Sequence, residues 1–184
     1  MIEDDEMAKS EADLISDFKN ALCSKGVDKQ TIATASDNKS KIMDVNFIEP
    51  TTNTYISLEA KTFNDTRSNS NFFLSIFGKV IKGRHLNKNN KLCKGKNVEY
   101  GFLFDDSNKV IIRHYFSLIE NNDWQNFCEQ YDVKHIFILK SNNEYDVFTA
   151  KEIKQTYCKT NKGEEKNITL KTTEVEETEY SQSI

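Results

Sequence analysis

The sequence predicts an α/β domain, a mixed central sheet flanked by helices, from three observations. Apolar residues recur at spacings of three and four over residues 8–23 and again from Phe73 to Ile81, the period of helices packed on one side. Between these stretches lie two runs rich in β-branched and aromatic residues, 41–48 and 54–63, joined by a turn-like Pro50 to Asn53. Beyond them strand-like and helix-like segments alternate as far as Phe148, the order of an α/β chain.

Leu14, Ile15, Phe18 and Leu22 line the apolar side of the first helix, and Gly26 stands just past its end as a stop. The two strand-like runs follow, then a polar loop from Asn64 to Asn71. Phe73, Ile76, Phe77, Val80 and Ile81 form the second helical stripe in spite of Gly78. From there to Lys96 the chain is basic, shows little periodicity and reads as loop. Val98 to Phe104 predicts a third strand and Val110 to Asn122 a helix, with Asp123 capping a short helix through Tyr131. His135 to Leu139 and Tyr145 to Phe148 are the last strands, joined by the Ser-Asn-Asn turn at 141–143. Trp124, Phe127 and Tyr131 follow helical spacing and read as core rather than as a base-stacking platform. No internal repeat is visible.

Charge divides the chain. The 184 residues carry a formal net charge of −4, yet residues 3–6 are all acidic and residues 164–184 hold six Glu against two Lys. Between Met7 and Gly163 there are 23 bases against 19 acids. Residues 1–7 are therefore an acidic N-terminal tail, 8–159 the folded domain, and 160–184 an acidic tail too polar to bury a core. From Thr66 to Val98 there is no acid, while Arg67 and seven lysines and arginines from Lys79 to Lys96 stand in that stretch. Such a run either faces water as a Lys/Asn loop or meets phosphates, the sequence-independent part of nucleic-acid affinity. Lys79, Lys82, Arg84 and Lys88 are the candidates for backbone contacts.

The N-terminus has neither the basic flank nor the apolar run of a secretory signal, and no window approaches the roughly 18 apolar residues of a membrane span. Cys23, Cys93, Cys128 and Cys158 are scattered, with no Cys-x-x-Cys pair. They read as reduced, mostly buried thiols of an intracellular protein without a membrane partner. His85, His114 and His135 share no ligand spacing with one another or with the cysteines, which argues against zinc. Gly78 to His85 imitates a phosphate-binding loop but lacks the Lys-Ser/Thr ending.

The chemistry-bearing constellation is Asp44 followed by Glu59-Ala60-Lys61. Side chains alternate along a strand, so Glu59 and Lys61 share one face while Ile56, Leu58 and Ala60 take the other. If the two strands form a hairpin, Asp44 and Glu59 converge within reach of one divalent cation. Two carboxylates with a backbone carbonyl and waters make the oxygen site that Mg²⁺ or Mn²⁺ prefers. Lys61 would then orient or help deprotonate the attacking water and offset charge developing on the phosphate. The competing reading makes Glu59 and Lys61 a solvent-facing pair guarding an edge strand.

Asp-x(14)-Glu-x-Lys in helix–strand–strand–helix order resembles the PD-(D/E)xK nuclease superfamily, over roughly residues 8–85. The resemblance implies a restriction-endonuclease-like fold and Mg²⁺- or Mn²⁺-dependent cleavage of nucleic acid, DNA favoured over RNA. It makes Asp44 and Glu59 metal ligands, lends the Ala60 carbonyl to the metal, and makes Lys61 the catalytic lysine. Many members carry a Glu on the first helix, and Glu11, which borders the core-facing stripe here, would by that resemblance join the catalytic group and assist a second metal or a water. The family's Pro before the first acid is Met43 in this chain. A polar residue on the helix after the Glu-x-Lys strand often reaches the site; Lys79 and Lys82 both qualify. A homodimer is an option that the resemblance leaves open. The alternative is a non-catalytic nucleic-acid-binding or protein-interaction module on the same fold.

Overall fold

The computed structural model describes residues 9–37, 42–63 and 71–159. Both expected acidic tails, Lys41 and residues 64–70 of the polar loop lie outside the described residues. The elements run α1 (Glu11–Ser24), β1 (Ala33–Thr34), β2 (Val45–Glu49), β3 (Thr54–Lys61), α2 (Phe72–Asn87), β4 (Val98–Asp105), α3 (Lys109–Ser117), α4 (Asn121–Gln130), β5 (Val133–Leu139) and β6 (Tyr145–Thr149). The six strands form one sheet in sequence order. Pairing is antiparallel from β1 to β3, parallel from β3 through β5, and antiparallel again for β6. The expected α/β class with a mixed sheet flanked by helices is what forms.

Two apolar layers hold the sheet. On one face Leu14, Phe18, Ala21 and Leu22 of α1 pack on Val45, Phe47, Ile56, Leu58, Ala60 and Leu103. On the other, Ile76 and Val80 of α2 join Phe102, Phe104, Phe116, Trp124, Ile136 and Ile138. The strands supply both layers by alternation, which is why β3 is buried from Thr54 to Ala60 without a break. Trp124 is wholly buried and donates its Nε1–H to the Ala150 carbonyl at 2.7 Å, so the large ring leaves no polar atom unpaired.

Ser10 starts α1, its hydroxyl accepting the Asp13 N–H at 3.1 Å, with Glu11 and Asp13 on the favourable, positive end of the helix dipole. Gly26, at φ +90°, follows the end as expected. Three expectations are corrected. The basic stretch after Ile81 is helix as far as Asn87, because the buried side of α2 continues as Ile76, Val80, Gly83 and Asn87. Gly83 and Asn87 keep the helical period but carry no hydrophobic signal. The helix expected over Val110 to Asn122 is divided into α3 and α4, with Glu120 at the cap position and Asp123 inside the first turn. The strand expected over 41–48 begins only at Val45. Ahead of it, Asn46 Nδ2 binds the Met43 carbonyl at 2.7 Å, and the Asp44 carbonyl accepts from Ala35 on the β1 side. Strand β1 was not expected; two residues are too few to show a period.

Gly101 lies where β4 and β5 shift register. A Cβ there would press into the His135 carbonyl and touch Leu58 Cδ2 at 3.0 Å. Gly101→Ala is therefore expected to lower stability by about 3 kcal/mol, read as a drop in the urea midpoint; an unchanged midpoint would show that β4 and β5 can separate without cost.

Candidate active site

β3 lies between β2 and β4, so Glu59 and Lys61 are not an edge-strand pair. Glu59 is 1% exposed and faces α2, whereas Ile56, Leu58 and Ala60 face α1. The β2–β3 register ends with Val45 beside Leu58, and Asp44, the bend residue just ahead of it, lines the same cavity as Glu59 and adjoins its carboxyl. Asp44 comes just before β2, and its Oδ2 accepts the Ala60 N–H at 3.0 Å. A side chain thus replaces the backbone partner that would have continued the ladder. It ties the two acids together.

Two lysines and a third acid complete the group. Lys61 Nζ lies 3.6 Å from Glu59 Oε1 and 3.3 Å from Glu11 Oε1, so the first residue of α1 is joined to the end of β3. Lys79, from α2, brings its Nζ to 3.3 Å from the same Glu59 oxygen. These ammonium groups act on Glu59 as charges. Neither Glu59 oxygen accepts an aligned hydrogen bond among the described residues. Burial, and next the adjoining Asp44 carboxylate, push the Glu59 carboxyl up to about 7 against the pull of both lysines. Glu59 in turn holds the Lys79 ammonium above its ordinary range.

The remaining candidates separate. Lys82 lines a cavity of about 200 Å³ together with Asp44, Glu59, Lys79 and Gly83. Arg84 turns away: its Nη1 donates to the Gln130 carbonyl at 2.6 Å, Nη2 lies 3.7 Å from Asp132, and the guanidinium sits over the Tyr131 ring. Its described role is to fasten α2 to the start of β5. Lys88 follows the last residue of α2, about 120° around the helix from Lys82. Gly78 to His85 are all helical, so no phosphate-binding loop forms there. Sequence reasoning missed Gly83. A Cβ at that position would collide with Met43, its Cγ at 2.8 Å, so the glycine lets α2 settle on Met43 and bring Lys79 and Lys82 over the acids. A glycine four residues after Lys79 in a buried helical register was the available signal.

The donor set fits a hard divalent cation. Glu59 offers two buried oxygens without aligned donors, and Asp44 lines the same cavity. Within a strand a residue's N–H and C=O point to the same side, so the Ala60 carbonyl points, like its N–H, toward Asp44 and away from β4. Among the described residues no group of three or more His, Cys, Asp or Glu side chains converges, so any ion here would depend on two carboxylates, a carbonyl and water. The four cysteines are all free thiols, two buried and two half-buried, and none adjoins this site.

Because the folded state binds the Glu59 proton more tightly than the unfolded chain, metal-free stability is expected to fall as pH rises from about 4.5 through about 7. Glu59→Gln should remove that slope and raise stability at pH 8 by about 3 kcal/mol, with little change at pH 4. Thermal unfolding in EDTA across that range checks both. Among the described residues no helix is long and apolar enough to cross a membrane. Comparison of the chain with family models, with curated proteins and with solved structures finds no match.

Proposed function

We propose that the protein is a metal-dependent nuclease of the PD-(D/E)xK type, with Mg²⁺ or Mn²⁺ held by Asp44, Glu59 and the Ala60 carbonyl. One observation carries this reading: a buried carboxylate, without aligned donors on either oxygen, beside a second acid in one cavity. A purely structural role for such a group is costly, since a buried charge is stabilising only when well paired. When bound, the cation supplies Lewis acidity toward the phosphodiester and a water more easily deprotonated than bulk water.

The chain's own residues do the rest. Lys61, half-buried and held between Glu11 and Glu59, presents N–H donors beside the Glu59 carboxyl, where they orient the water that attacks phosphorus. As the bond from water to phosphorus forms, the water's proton passes to solvent; as the bond to the leaving oxygen breaks, that oxygen takes a proton from solvent, while the same ammonium opposes the charge gathering on the phosphate oxygens. Lys79 is held in its charged form by Glu59, which suits it to binding phosphate and not to removing a proton. Lys82, on the same wall, adds a second cation. DNA is favoured over RNA as substrate.

The second reading, a binding module without catalysis, is favoured by the absence of a third converging metal-ligating side chain among the described residues. Cleavage separates the two. Plasmid and single-stranded substrates with Mn²⁺ or Mg²⁺ should be cut, EDTA should stop cutting, and Glu59→Ala and Lys61→Ala should each lower the rate by about 100-fold or more while remaining folded. Binding without cleavage under both metals would leave the module reading in place.

A further inference from the structure

The cavity at Asp44 and Glu59 is not the end of the concave surface. Ile42 and Leu86 line it and also line a larger hollow, about 620 Å³, whose other walls include His85, Asn89, Lys91 and Leu92. The two hollows therefore share a wall. One stripe of α2 runs along both hollows, since Lys79, Lys82 and Gly83 line the smaller, Leu86 lines both, and Asn89 and Asn90 continue it along the larger past the helix end. From Lys79 to Leu86 the axis advances about 10 Å. About three nucleotides of a stacked strand cover that length, and an unstacked strand covers it with fewer.

The second hollow has a mixed character. Leu86 and Ile42 are half-exposed at its junction with the acids, and Leu92 on its far side is 49% exposed. Among the described residues no acid lines it, and Lys91 and His85 stand at its rim. Asn90 is occupied in holding the turn: its amide donates to Tyr55 Oη at 3.1 Å and its Oδ1 accepts the Leu92 N–H at 3.0 Å. That pair of bonds holds the backbone at Leu92, whose residue lines the hollow. A duplex presents to a protein its phosphates and groove edges, with the apolar faces of its bases stacked inside. Only an unpaired nucleotide can give an apolar base face to Ile42, Leu86 and Leu92 while its phosphates meet Lys82 and Lys91.

We infer that this hollow is a subsite for an unpaired nucleotide, two or three residues along the strand from the phosphate at Asp44 and Glu59, and that the substrate is single-stranded nucleic acid or an unpaired end. The inference rests on the nuclease reading for its direction along the strand, and on charge and shape for its occupant. The unpaired base sits against the three aliphatic side chains. The strand then runs along α2 to the two acids.

The test is fluorescence anisotropy with a labelled 12-nucleotide single strand and with its blunt duplex, in Ca²⁺, using the full chain. The single strand should bind at least tenfold more tightly than the duplex. Leu92→Asp, a change at a half-exposed position outside the acid cavity, should weaken single-strand binding about tenfold and leave duplex binding unchanged. Lys91→Glu, equally exposed, should weaken it about fivefold. Equal or tighter duplex binding, or single-strand binding indifferent to both substitutions, overturns the inference. Cleavage with Mn²⁺ is followed in parallel. Preferential single-strand binding without cleavage keeps the subsite and removes the nuclease; equal cleavage of both forms with unchanged Leu92→Asp kinetics does the reverse.

Discussion

Taking a carboxylate out of water costs several kcal/mol unless charges or donors replace the lost hydration, and Glu59 is 1% exposed on an interior strand. The surroundings of β3 are organised about that one charge. Lys61 reaches it from the same strand, Lys79 from the helix above, and Glu11 offsets Lys61 from the helix below. Asp44 is drawn in by the Ala60 N–H, which lies one residue beyond Glu59 and has no strand partner on that side. A second negative charge is thereby brought beside the first, which makes the group more costly still without a cation. Local hydrogen bonding and global electrostatics disagree here, and such disagreement is usual at functional sites.

Close approach is the other condition. Helix α2 comes down onto the sheet because Gly83 has no side chain to meet Met43, and Tyr100 and Asn87 close a hydrogen bond beneath it at 3.2 Å. The polar residues of that layer, Asn87, Asn90, Tyr55 and Tyr100, are joined to one another, so the descent of the helix leaves few unsatisfied groups. Arg84 then anchors the helix at its other side, to the turn that opens β5. Basic residues adjacent in sequence thus have separate duties: Lys79 and Lys82 at the acids, Arg84 in the scaffold.

Much of this could be read from residue order. The alternation of β3 showed Glu59 and Lys61 on one face, and the hairpin register brought Asp44 to the same end. The stripe of α1 and the strands β4 and β5 were legible because their apolar runs are strong, and β6 was legible from the Ser-Asn-Asn turn that precedes it. What escaped notice had no apolar signal. The end of α2 is buried through a glycine and an asparagine, and the boundary between α3 and α4 falls in a segment whose composition suits helix throughout. The partner of Arg84, 46 residues away, is a backbone carbonyl, and no side-chain pattern announces a carbonyl. The shared wall of the two hollows belongs to the same class, since it depends on how α2 is rolled on the sheet.

The sheet's change from antiparallel to parallel pairing has a kinetic consequence. β2 and β3 are a hairpin across a short turn, whereas Tyr55 meets Val98 only after the whole of α2 has been laid across the sheet. Local pairings close early and distant ones late. The two acids therefore become neighbours while the hairpin is still hydrated, and lose their water only when α2 and β4 close over Glu59. The electrostatic cost of the site falls on the last, non-local steps of folding, when the lysine of α2 arrives together with the wall that excludes solvent.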